Sequence, residues 1–121
     1  MSHESPDASI PTLEPSKQTV VMLCSCPDET SARGIATALV ADGLAACVNR
    51  LPGVMSTYIW EGQLEEEREV LLVIKTAADR VDAAEQAIRA RHPATLPEIV
   101  ALPIVAGSRH YIEWILDSTR P

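Results

Sequence analysis

Three cysteines and one histidine are the side chains in this chain best suited to chemistry: Cys24, Cys26, Cys47 and His92. Cys24 and Cys26 stand two positions apart, so on an extended strand both thiols leave the same face. Neighbouring soft sulfur donors suit Cu(I). Free cysteine is also among the most buried residue types, and core packing is the commoner reason for such a pair. Cys47 lies in the Ala-rich stretch Ala45-Ala46-Cys47 and reads as core. His92 stands before Pro93 at an expected helix end, a place that suits a cationic side chain with or without a metal. His3 and His110 have no matched partner. The acidic run Glu65, Glu66, Glu67 and Glu69 reads as a solvated strand edge, since the Gly-anchored loop of an EF-hand is absent. No Ser-His-Asp pattern, G-x-S-x-G, phosphate-binding Gly loop or H-E-x-x-H is present. The expectation is a binding protein and not an enzyme.

Composition narrows the partners. Asp and Glu number 17 against 10 Lys and Arg, for a formal net charge of −7. Phosphate backbones and anionic membrane surfaces both call for the opposite balance, so neither nucleic acid nor membrane is an expected partner. An odd cysteine count at this spacing is no disulfide framework, and reduced thiols fit a cytoplasmic setting. The N-terminus has neither the basic nor the apolar segment of a signal peptide. No apolar run approaches the roughly 18 residues that cross a bilayer.

These groups need a scaffold, and a chain of 121 residues supplies one domain. Residues 1–18 form a Ser-, Pro- and acid-rich stretch expected to be a disordered tail, leaving residues 19–121 as the folded domain. Residues 19–25 are an apolar, Val-rich strand. Asp28 is a good N-cap for the helix that follows. Ala32, Ile35, Ala36 and Leu39 make one face of that helix and Gly43 ends it. A strand from Ala46 to Trp60 is interrupted by a bulge or kink at Pro52-Gly53. Glu61-Gly62 turns it into a return strand over residues 64–76. Asp79 is expected to cap a second helix that stops at His92-Pro93. A last strand over residues 99–102 precedes a helix carrying Tyr111, Ile112, Trp114 and Ile115. The order β-α-β-β-α-β plus one helix predicts an α+β, ferredoxin-like sandwich.

The hairpin is too long for such a domain. Fifteen residues at about 3.3 Å each would extend roughly 50 Å, against a radius of gyration of about 13 Å. Part of it must project, and a projecting ribbon needs a partner. One sheet face also lacks helices to cover it. Both needs point to a closed oligomer.

Several blocks together resemble the CutA family of divalent-cation tolerance proteins. They are Leu44-Ala45-Ala46-Cys47-Val48-Asn49, Pro52-Gly53, Tyr58-Ile59-Trp60-Glu61-Gly62, Glu69-Val70-Leu71-Leu72-Val73-Ile74-Lys75-Thr76, His92-Pro93, Pro97-Glu98-Ile99-Val100-Ala101-Leu102-Pro103-Ile104, and Gly107, Tyr111 and Trp114. The resemblance implies a homotrimer related to PII signalling proteins, built through the long hairpins. It implies a cytoplasmic role in response to copper and other divalent metals, with Cys24 and His92 as the metal candidates. It also places Tyr58, Trp60, Glu61, Lys75, Glu98 and Trp114 around clefts between subunits, where a small anionic or zwitterionic ligand would fit. Two further readings follow: a PII-like small-molecule sensor, or a trimeric scaffold for a protein partner. The chain departs from the family pattern at Arg91, where a second histidine is usual, at Ala94 in place of Tyr, and at Gln63 in place of Lys. Nothing in the sequence brings Cys24 and His92 together within one chain.

Overall fold

In a computed structural model that describes residues 17–121, the chain forms four strands and three α-helices. In order they are β1 (Thr19–Cys26), α1 (Glu29–Ala41), β2 (Cys47–Trp60), β3 (Gln63–Ala77), α2 (Val81–Arg91), β4 (Val100–Pro103) and α3 (Arg109–Ser118). Of the stretch read as a tail, residues 1–16 lie outside the described residues. The strands make one sheet in the order β2-β3-β1-β4, with every neighbouring pair antiparallel. This is the split βαβ order that the sequence predicts.

Alternation sorts the sheet into two faces. Val20, Met22, Cys24 and Cys26 of β1 and Val70, Leu72 and Ile74 of β3 face α1 and α2. With Ala32, Ile35, Leu39, Ala84 and Ile88 they form the main core. The opposite face carries Val21, Leu23, Leu71 and Val73, all only half-buried, beside exposed Val100 and Leu102. Helix α3 packs against β1 and β3 and brings Tyr111 to the Cys47 thiol, so this face is covered at one end only. Ile115 of α3 is fully buried.

Helix α1 begins as expected. The Asp28 carboxylate accepts from the Ser31 N–H at 2.7 Å and from the Ser31 hydroxyl at 2.9 Å. These bonds hold the Asp28 carboxyl below the usual carboxylate range. A depressed folded-state pKa adds stability above the ordinary carboxylate value, and that stability is lost as pH falls through it. Asp28→Ala is therefore expected to melt below the wild type at neutral pH, with the gap closing in acid. Melting curves from pH 7 down to about 3 check this; a gap independent of pH would refute it.

The start of α2 differs from expectation. Asp79 does not cap it. A short 3-10 turn, Ala78–Arg80, leads into the helix, and the capping position falls on Arg80 with no side-chain cap bond. The Ala78 N–H instead donates to the Gln18 carbonyl, tying this corner to the start of β1.

The long hairpin is formed as predicted. β2 and β3 pair from Cys47↔Lys75 to Trp60↔Gln63. The register shifts between Leu51 and Val54, so that Pro52 and Gly53 both oppose Val70. Gly53 sits at φ +77°, where a side chain would be strained. Glu61 and Gly62 have φ of 51° and 79°, the pair of positive values that a tight two-residue hairpin turn demands. β1 pairs with β3 only as far as Cys26↔Val70. Beyond that point residues 54–60 and 63–69 continue as a two-stranded ribbon. Seven residues at about 3.3 Å carry it roughly 23 Å past β1.

Candidate metal centre

The last residue of β1 and the end of α2 meet at the root of this ribbon. Cys24 and Cys26 point into the core and are both fully buried. His92 follows α2, its N–H capping the helix on the Ile88 carbonyl at 2.8 Å. The sulfur and nitrogen donors of Cys24, Cys26 and His92 all lie within 4.8 Å of one another. Among the described residues no other group of three Cys, His, Asp or Glu side chains comes together in this way. The fold thus unites Cys24 and His92, which the sequence left apart. It also adds Cys26, which the sequence assigned to packing; the shared strand face was the signal that could have found it.

Hydrogen bonds fix the state of each donor. The His92 Nε2 lies 2.7 Å from the Ser25 carbonyl, which can only accept, so Nε2 carries the proton. The Ala94 N–H donates to His92 Nδ1 at 3.0 Å, so Nδ1 is bare. The ring is thereby held in a single neutral tautomer with both nitrogens engaged. The Cys24 thiol donates to the Cys26 sulfur. That bond, together with burial, pushes the Cys24 thiol far up; the same bond brings the Cys26 thiol down against the opposing effect of burial. Cys26 is the thiolate-prone member of the pair. Cys47 lies elsewhere, on the opposite face, half-buried against Tyr111.

The six residues expected around a cleft do not converge within one chain. Tyr58, Trp60 and Lys75 share the open sheet face, because the bulge at Pro52-Gly53 moves even-numbered residues of β2 onto it. Along β3, however, the pairing position of Tyr58 at Glu65 is ten residues from Lys75, about 33 Å of strand. Glu61 is in the hairpin turn, and Trp114 stacks on Tyr111 in α3 with centroids 5.5 Å apart. Glu98 lies before β4, near enough to Cys24 to act on its thiol. The Tyr58 hydroxyl donates to Glu67, which pushes it up to about 12, and Lys75 donates to Asn49.

Residues 20–118 match the family model described as CutA1 divalent ion tolerance protein. The chain belongs to the CutA1 family. A divalent-cation tolerance protein CutA from Thermus thermophilus is 46% identical over 99 residues, covering 82% of this chain and 96% of its own. The crystal structure of CutA from Xylella fastidiosa superposes with a TM-score of 0.83 at 41% identity, covering 84% of this chain and 98% of the other. A CutA from Archaeoglobus fulgidus, described as a periplasmic divalent cation tolerance protein, superposes at 0.82 with 30% identity over 84% of this chain and 99% of its own. These CutA1 relatives are named for ion tolerance and not for a reaction. No helix among the described residues of this CutA1 chain is long and apolar enough to cross a membrane.

Proposed function

We propose that this CutA1 protein binds copper or other divalent metal ions as a homotrimer in the cytoplasm, in response to metal. The observation that carries this reading is the meeting of Cys24, Cys26 and His92 donors within 4.8 Å. The donor types fit: thiolate and imidazole are ligands for zinc and copper alike. The Cys24 sulfur sits in the core, and a divalent ion would recruit the His92 Nδ1 by displacing the Ala94 N–H. Arg91 supplies no further donor, since a guanidinium has no lone pair to offer. Equilibrium dialysis against zinc and copper(II), followed by metal analysis, tests the proposal. One ion per chain is expected, lost in the Cys24→Ser/His92→Ala double variant. Equal binding by both proteins would sink the site.

A second reading has its own observation. Tyr58, Trp60 and Lys75 line one sheet face but are separated along it, so copies packed through that face would bring them into shared clefts. A small anionic ligand there would make the protein a PII-like sensor. Thermal shift against a panel of anionic metabolites, compared with Lys75→Ala, separates this reading from the metal one.

A further inference from the structure

Every donor in the cluster differs in what it must give up to hold a metal. Both His92 nitrogens are committed, Nε2–H to the Ser25 carbonyl and Nδ1 to the Ala94 N–H. Turning the ring toward a metal breaks at least one of these bonds in a half-buried place, where an unpaired polar group is costly. The two sulfurs are committed only to each other and to a long 3.9 Å contact from Cys24 to the Ser25 carbonyl. Ser25, whose carbonyl is held by His92, is the residue between the two cysteines. The histidine therefore fixes the backbone that aims both thiols.

Ion preference follows from the donor count. Zinc closes a structural site with four ligands. Divalent copper takes a tetragonal set of nitrogen and oxygen donors. Among the described residues the cluster offers two sulfurs and one committed imidazole, with both sulfurs sealed from solvent; Glu98 and Glu69 are felt by the thiols as charges, but neither carboxylate joins the group of donors within 4.8 Å. Monovalent copper is satisfied by thiolates in low coordination, and needs neither the ring nor water.

We infer that Cys26 is a ligand in its own right and that Cys24 and Cys26 form a two-sulfur site for monovalent copper, with His92 as the positioning residue that clamps Ser25. This rests on the reading of the cluster as a metal site and names the ion it is built to prefer. On binding, Cu(I) forms two copper–sulfur bonds and the two thiol protons leave to solvent.

Copper X-ray absorption of the full-length protein, loaded with Cu(I) under reducing conditions, reads the ligands directly. Two sulfur neighbours and no imidazole are expected; one sulfur, or an imidazole in the shell, overturns the inference. Competition with a Cu(I)-specific chelator gives the second readout. Cys26→Ala, which removes a ligand, is expected to weaken Cu(I) binding by more than about 100-fold, and His92→Ala, which removes a supporting contact, by about 10–100-fold. Cys26→Val, closer in volume, must weaken binding as Cys26→Ala does, with both variants checked for the wild-type melting profile. Unchanged Cu(I) affinity in a folded Cys26 variant refutes the two-sulfur site. If zinc binding remains sensitive to Cys24→Ser and His92→Ala, the broader metal reading survives that result. If no variant alters any metal, both fall.

Discussion

Leu72→Ala is expected to destabilise the protein by about 2–5 kcal/mol, the usual range for truncating a buried leucine. Leu72 is fully buried in β3 and pairs directly with Cys24 of β1. The cost has two parts, the lost transfer of the removed methyl groups from water and the cavity left behind. Here the cavity opens between the sheet and the helices packed on it, and β3 is tied on both sides by ladders of hydrogen bonds, so collapse into it is limited. The void also lies against the buried thiols, and looser packing lets their spacing drift. Chemical denaturation of the wild type and the variant measures the difference. A loss below about 1 kcal/mol would mean that the sheet relaxes into the space.

The second large effect concerns the ribbon. Ile59 and Leu64 are paired across β2 and β3 near its tip and are 70% and 72% exposed, as unfavourable a placement for large apolar side chains as any among the described residues. Met55 is 57% exposed farther back. Such a ribbon has two free edges and no helix over it, which in an isolated chain invites association. Ile59→Lys combined with Leu64→Lys is expected to abolish the assembly proposed above, leaving the native mass of a single chain. The substitutions lie in the ribbon, beyond the end of β1 and away from the main core, so each chain should keep its fold and its circular dichroism. Native mass spectrometry at low micromolar protein decides the matter. A variant that keeps the mass of the wild-type assembly would place that assembly on the open sheet face around Leu23, Val73 and Val100 instead.

Much of this architecture was written in periodicity. The alternation around Leu72 and Ile74, the helical stripe from Ala32 to Leu39 and the Glu61-Gly62 turn each depend on local rules, and each formed where those rules place it. Asp79 failed as a cap because the chain entering α2 is held by the Gln18 carbonyl, a tertiary bond that no local pattern encodes. The metal cluster was half legible. Two cysteines on one strand face are a local fact, but their meeting with His92 depends on how α2 crosses back over the sheet. The engagement of both His92 nitrogens depends on Ser25 and Ala94, whose side chains give no hint of it, since both contacts are made by the backbone.

The bulge at Pro52-Gly53 sets a rule for how this ribbon can vary. One extra residue in β2 is what turns Tyr58 and Trp60 to the Lys75 side while Ile59 takes the other. A single insertion or deletion beyond it would exchange the two sides along the remaining length of β2, aromatic for aliphatic, while leaving β3 unchanged. Length can therefore drift only in paired steps, two residues on each strand at a time. The one-residue offset itself must be kept or lost together with the surfaces it assigns.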